Sequence, residues 1–509
     1  ASEPARRGDW QLRYKTVITD PGTTCLSGEH RVGAVRPLDI SFAKARATLS
    51  AQAVGMAAAF SDRGTSIAVG STVPNTWSMA KLAASRFGPF DDVPDDIQLV
   101  QQYLRNEIGP DYELVDLLGC GVAVHHSALS DEARTMIEWL AEHGSLRVLC
   151  ATTTIAQGIN FPVSSVFLAS RKYPYGKEMS HRAFWNLAGR AGRIGHDSVG
   201  VVGLAAGTNP VEVERYIGLA TENLVSRLVS LLDELEQAGR LNDLELVIEE
   251  DQWSDFRCYV AHLWNEKRSL DAVLAETEQL LRNTFGYGYL RSRSTEQDRA
   301  KAKLLLDATR GYARKLSQHP ENAVLADATG FSPEGVSKAL LGLQRLDRKL
   351  TKADWEPTSL FDSSGSSLPA LIGVMMRLPS IGQDLETIGS HGTLNRRIAD
   401  IAQAWVGGES IQAIADGYFT GNTSTDRIGL ACKAIYKVLA NSGTWGLAAL
   451  SKMPTAGFDV DKLTEDEIRR INSAAAMLYH GVNTEAGVLM RMNSAPRTVA
   501  GSLGAEFVR

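Results

Sequence analysis

Residues 184–195 read FWNLAGRAGRIG. They include Gly189, Arg190, Ala191, Gly192 and Arg193, so two arginines stand three residues apart with only small residues between them. Guanidinium groups suit phosphate oxygens because they are planar, permanently charged and able to donate two parallel hydrogen bonds. Small neighbours let the backbone approach another surface closely. The spacing predicts both arginines on one face at the start of a helix. Taken alone, the pattern also fits two surface arginines in salt bridges.

Working outward, residues 148–162 read VLCATTTIAQGINFP, an apolar run that ends in Thr152, Thr153 and Thr154 and continues through Gly158 to Asn160. Hydroxyls at a strand end can bind a phosphate backbone, and Gly158 permits a turn with exposed amides. A strand with an ordinary polar loop reads the same way. Further upstream, residues 121–130 read GVAVHHSALS. Neighbouring side chains on a strand point to opposite faces, so His125 and His126 are not expected to share a metal ion.

These segments belong to a wider pattern. Residues 66–70, 121–124, 147–151, 165–169 and 200–205 are short, partly β-branched apolar runs bounded by polar or glycine segments, as buried parallel strands are. Residues 75–87 and 131–143 between them have helical spacing. Strand–helix alternation predicts an open parallel sheet with covered faces, whose ligands bind beyond the carboxyl ends of the strands. After about residue 210 the strand signal fades. Residues 211–239, 269–282 and 300–316 carry apolar residues at helical spacing. Residues 325–343 have a helix–turn–helix cadence, read either as two packed helices or as a winged-helix-like module. Residues 363–367 (SSGSS) read as a flexible break, and helices dominate beyond it.

HHSALS, ATTTIAQGINFP and NLAGRAGRIG, in this order and spacing, resemble the motifs of the second RecA-like domain of Ski2-like superfamily 2 helicases. The resemblance implies an α/β RecA-like parallel-sheet domain followed by mostly α-helical domains, with winged-helix and helical-ratchet parts. It divides the chain into a lead-in over 1–45, the RecA-like domain over 46–210, a helical region over 211–362 and a ratchet-like domain over 363–509. It makes Arg190 and Arg193 arginine fingers that reach the γ-phosphate of ATP held by a partner domain. It places Gly158, Asn160, Asn186 and Gly189 at the nucleotide. It also places Thr152, Thr154, His126 and Ser71 on the nucleic-acid strand, Ser71 through a loose match of residues 66–81. Asn186 stands where the family has a glutamine, shorter by one methylene, and HHSAL stands where it has HHAGL. Residues 397–419 and 479–503 resemble the family's ratchet segment and helix–hairpin tail.

One half of the expected machinery is not found. ATP hydrolysis of this kind needs a phosphate-cradling loop and an acidic pair for Mg²⁺. No G-x-x-x-x-G-K-[ST] occurs. Asp131-Glu132-Ala133-Arg134 opens a helix instead of ending a strand, and Asp233-Glu234-Leu235-Glu236 lies within an amphipathic helix, so both read as solvated helix faces. The expectation is therefore that ATP and Mg²⁺ are held mainly by a first RecA-like domain, in a missing part of the same polypeptide or in a separate subunit. The chain alone should be inactive. The expected partners are that domain, single-stranded DNA or RNA, and an effector protein if the setting is anti-phage defence; DNA repair is the other setting the resemblance suits. The rival class is a non-catalytic nucleic-acid-binding or scaffold subunit with a RecA-like fold.

Composition is compatible with all of this. The 509 residues are 44% hydrophobic and 22% charged, values typical of a globular protein. The net charge of −6 gives no global basic field, but a strand-tracking motor needs only a locally basic groove. Cys25, Cys120, Cys150, Cys258 and Cys432 are scattered and read as reduced thiols. No run approaches the roughly 18 apolar residues of a membrane span, so no membrane partner and a cytoplasmic setting are expected.

Overall fold

The computed structural model describes residues 10–15, 27–33, 38–153, 163–170, 179–189, 191, 200–205, 227–239, 248, 253–292, 295–388, 394–459 and 462–507. The chain forms two compact units, Ala1–Glu222 with Thr423–Gly429, and Asn223–Asn422 with Leu430–Arg509.

The first unit opens with an antiparallel pair, β1 (Trp10–Lys15) and β2 (Ser27–Gly33). Helices α1 (Phe42–Ala47) and α2 (Leu49–Ala59) lead into β3 (Ser66–Gly70) and α3 (Val73–Phe87). Next come α4 (Asp95–Glu107), α5 (Leu114–Leu118), β4 (Val122–His125), α6 (Asp131–Glu142) and β5 (Val148–Thr152). The unit continues with β6 (Ser165–Leu168), α7 (His181–Ala188) and β7 (Val201–Leu204). Strands β3–β7 form one parallel sheet in the order β4-β5-β3-β6-β7. Every residue of β3, β4, β5 and β6 is buried, as expected when helices cover both faces of a parallel sheet.

The five strands fall where the apolar runs predict them, with small shifts at the ends. β4 starts at Val122 because Gly121 has φ +71°, a left-handed turn conformation. A Cβ at Gly121 would also meet the Phe90 ring at 2.9 Å. The chain moves from β3 outward to β4 and then back to β5, and right-handed crossovers put α3 and α6 on opposite faces when the direction reverses in this way. Helix α3 is started by Thr72, whose Oγ1 accepts from Asn75 N at 3.3 Å, and α6 by Ser130, whose Oγ accepts from Ala133 N at 3.1 Å. Asp131 and Glu132 are thus first-turn helix residues, as their position in the sequence predicts.

The second unit is helical, and no strand occurs among its described residues. Helices Leu270–Asn283 and Glu296–Ser317 cover the predicted stretches 269–282 and 300–316, and Arg227–Gln237 lies in the described part of 211–239, whose residues 211–226 are outside the described ones; Ser254–Lys267 is a further helix. Pro320–Thr329 and Pro333–Gln344 form the predicted helix–turn–helix pair, with Ser332 Oγ capping the second helix at Gly335 N. A single turn at Lys352–Trp355 follows, with no β wing, so the pair stands as two packed helices. The serine-rich stretch at 363–367 is held in place. Arg396 donates to the carbonyls of Ser363 and Gly365, and Gln403 Nε2 donates to Asp362 O at 2.7 Å. The face carrying Asp233 and Glu236 is more than solvated, since both carboxylates pair with the buried Lys301 ammonium, at 2.5 and 2.6 Å. Their attraction outweighs the desolvation that would lower the lysine's pKa, and the net shift is upward.

Within the second unit, Trp405 of Leu394–Val406 is 1% exposed. Its Nε1 donates to Leu478 O at 2.9 Å, and the Arg497 guanidinium lies 4.3 Å from its ring. Residues 433–443 are π-helical and run directly into Thr444–Ser451. Among the described residues no helix is long and apolar enough to cross a membrane.

Candidate nucleotide and nucleic-acid site

In a parallel sheet all carboxyl ends share one edge. Gly70 pairs with Thr152 and His125 with Ala151. Ser71, His126 and Thr152 therefore meet at neighbouring positions on the carboxyl edge, although they are far apart in sequence. Ser71 is half-buried in the turn between β3 and α3. Thr152 is 7% exposed, and His126 only 2%. His126 Nδ1 accepts from Ala128 N at 3.3 Å, which shapes the turn after β4. The two histidines point to different helices: His125 Nε2 lies 2.8 Å from Glu138 Oε1 on α6, and the His126 ring lies 6.0 Å from that of Trp77 on α3. The opposed directions follow from strand geometry, as the sequence reading expects.

The arginine segment lies at the opposite edge. Asn186 is exposed on α7, which ends at Ala188, and Gly189 is an exposed turn residue. Ala191 N donates to Ala188 O at 3.1 Å, and Ala191 forms a parallel bridge with Val163. Val163 precedes β6, so this bridge is at the amino edge. Helix α7 ends at Ala188, before the arginines, and the helix start expected at the arginines falls on residues outside the described ones. Arg190, Arg193, Gly158, Asn160 and Thr154 lie outside the described residues.

Residues 148–162 thus leave the sheet at the carboxyl edge, at Thr152, and re-enter at the amino edge, at Val163, beside Ala191. One short length of chain joins the strand-contact candidates to the segment carrying the arginines. None of the five strands ends in a carboxylate: the last residues are Gly70, His125, Thr152, Leu168 and Leu204.

A five-stranded parallel sheet of this order fits a RecA-like α/β domain. Residues 99–195 match the family model described as helicase conserved C-terminal domain. The chain is similar to Hachiman protein HamB of Bacillus cereus, with 36% identity over 122 residues, 24% of this chain and 11% of that protein. It is similar to antiviral helicase SKI2 of Saccharomyces cerevisiae, with 38% identity over 103 residues, 20% of this chain and 8% of that one. It is also similar to ATP-dependent DNA helicase Hel308 of Caldivirga maquilingensis, with 35% identity over 125 residues, 23% of this chain and 16% of that one. The α/β part of the chain is similar to the C-terminal part of Ski2-like superfamily 2 helicases. The matched stretch spans less than a fifth of each of these relatives.

Sequence reasoning missed two parts of this region. Helices α4 and α5 form an insertion between α3 and β4, and the Trp77–Tyr112–His126 aromatic cluster joins that insertion to the carboxyl edge. The signal for α4 was legible, since Asp95 and Asp96 precede Ile97, Val100 and Leu104 at helical spacing. The cluster was not, because its three rings come from separate elements.

Proposed function

We propose that this chain supplies the second motor domain and ratchet of an ATP-dependent nucleic-acid helicase or translocase. Its first RecA-like domain would lie outside residues 1–509, in the same polypeptide or in a separate subunit. The observation that carries the reading is the Val163–Ala191 bridge, which joins the exit of ATTTIAQGINFP to the Arg190–Arg193 segment.

In this reading residues 46–210 are the motor domain, 1–45 lead into it, 211–362 form a helical region and 363–509 the ratchet. ATP with Mg²⁺ is gripped by the first domain. Closure brings Arg190 and Arg193 to the γ-phosphate, where such fingers contribute about 10³–10⁵ in rate. Gly158, Asn160, Asn186 and Gly189 frame the nucleotide side. Ser71, Thr152 and Thr154 contact the strand, with His126 beneath them, and residues 148–162 link the two sides. The single strand is DNA or RNA, bound through its backbone. The names of the relatives, one an antiviral helicase and one a DNA helicase, support a role in antiviral defence, with an effector protein as a further partner, or in DNA repair. The working location is the cytoplasm.

The test is Arg193→Ala in the complete enzyme, measuring ATP turnover with saturating single strand alongside strand affinity. Turnover should fall by at least about a thousandfold with affinity unchanged. Unchanged turnover, or loss of strand binding instead, would point to the scaffold or nucleic-acid-binding reading.

A further inference from the structure

Trp77 is the fifth residue of α3, one turn beyond the Thr72 cap, which follows Ser71 in the chain. Its ring sits 5.8 Å from that of Tyr112, in an edge-on arrangement, and 6.0 Å from that of His126. Tyr112 is 3% exposed and His126 is 2% exposed, whereas Trp77 is half-buried. The indole is therefore backed by two fixed rings and presents its remaining surface to solvent. Its N–H has no hydrogen-bond partner among the described residues. Trp355, Trp405 and Trp445 differ, each donating to a backbone carbonyl, of Ala456, Leu478 and Thr329 respectively. A tryptophan that serves only packing normally pairs its N–H or buries its ring fully. Along the same side of α3, one turn on, Lys81 is 53% exposed and pairs with Glu113 at 2.7 Å, so the Trp77 surface is flanked by charge and is not part of an apolar patch.

A rigid, half-exposed aromatic ring beside strand-end hydroxyls has the form of a stacking platform for an unpaired base. We infer that Trp77 stacks on a base of the bound single strand, its N–H donating to that nucleotide, while the hydroxyls of Ser71 and Thr152 hold the adjoining backbone. The inference rests on the proposed nucleic-acid function and adds a base-contacting residue that none of the motif segments contains. Stacking accepts any base, so Trp77 would fix register along the strand without imposing a sequence.

The experiment uses the complete enzyme and a fluorescent oligothymidylate, with and without one abasic position scanned along it. Wild type should lose about five- to a hundredfold in affinity at one abasic position and little at its neighbours. Trp77→Ala should lose a similar factor on the intact strand and no longer respond to that abasic position, while Trp77→Phe recovers part of both. Trp139→Ala, an exposed tryptophan 4.6 Å from His143 on another helix, should change neither. Iodouracil photo-crosslinking of the wild-type protein should label the tryptic peptide spanning residues 64–81 at Trp77, and this holds even if the alanine variant does not fold. If wild type binds no strand at all, the proposed function itself fails. If it binds but Trp77→Ala keeps full affinity and the abasic response, or the crosslink falls only on other peptides, the Trp77 assignment is overturned.

Discussion

The Asp354 carboxylate accepts from both terminal nitrogens of Arg348, at 2.9 and 2.5 Å, from Thr351 N and Oγ1 at 2.8 and 2.9 Å, and from Ser367 Oγ at 2.8 Å. Arg348 first, and the Thr351 and Ser367 donors after it, hold this group well below the ordinary carboxylate range against the opposing effect of burial. Because the folded pKa is lower than the unfolded value of about 3.9, the stabilisation is complete above that value and fades as the pH falls through it. Asp354→Asn should cost about 2–3 kcal/mol at pH 7 in chemical denaturation, with the deficit shrinking as the pH is lowered toward 3. A constant deficit across that range would mean that packing, not ionisation, matters at this position. Glu467, held down to about 2 by Lys352 and by the Thr464 amide, adds to the same acid sensitivity.

Among elements, the close meeting of Leu394–Val406 with the tail is the most exacting. Gly481 ends Glu465–His480 at φ +66°, and a Cβ there would lie 2.4 Å from Trp405 ring atoms and 2.7 Å from Arg497 Cδ. Gly481→Ala should therefore destabilise the helical unit by about 2–4 kcal/mol, adding left-handed strain to overpacking, and a thermal melt measures it. Arg497→Lys should cost less, because a lysine keeps a charge near the indole but loses the planar guanidinium that also donates to Glu409 O at 2.9 Å. The helices themselves were readable in the sequence from their spacing, and the five parallel strands from their apolar runs. What spacing could not supply was contact between distant residues. Lys301 meeting Asp233 and Glu236 turned an apparently solvated face into a joint. Arg396 bound a serine-rich stretch whose composition argues for slack.

For the molecule as a whole, the proposed division of labour makes a direct prediction. Residues 1–509, purified alone and given saturating single strand, should turn over ATP at background, and adding the first RecA-like domain should restore turnover. Robust hydrolysis by the chain alone, unaffected by Arg190→Ala and Arg193→Ala, would overturn the division. The motif segments were legible because motor chemistry demands particular residue types in a fixed order, so that HHSALS, ATTTIAQGINFP and NLAGRAGRIG can be recognised together. Which strands lie side by side was not legible, since that depends on the strand order, which places β3 between β5 and β6. The parallel arrangement has a further consequence. The sheet is about 16 Å tall at roughly 3.3 Å per residue, and residues 153–162 join a fixed point at one rim to a fixed point at the other. On the proposed function, inserting or deleting a residue between these two points should loosen the coupling of ATP turnover to movement along the strand, so that fuel consumption and forward travel come apart.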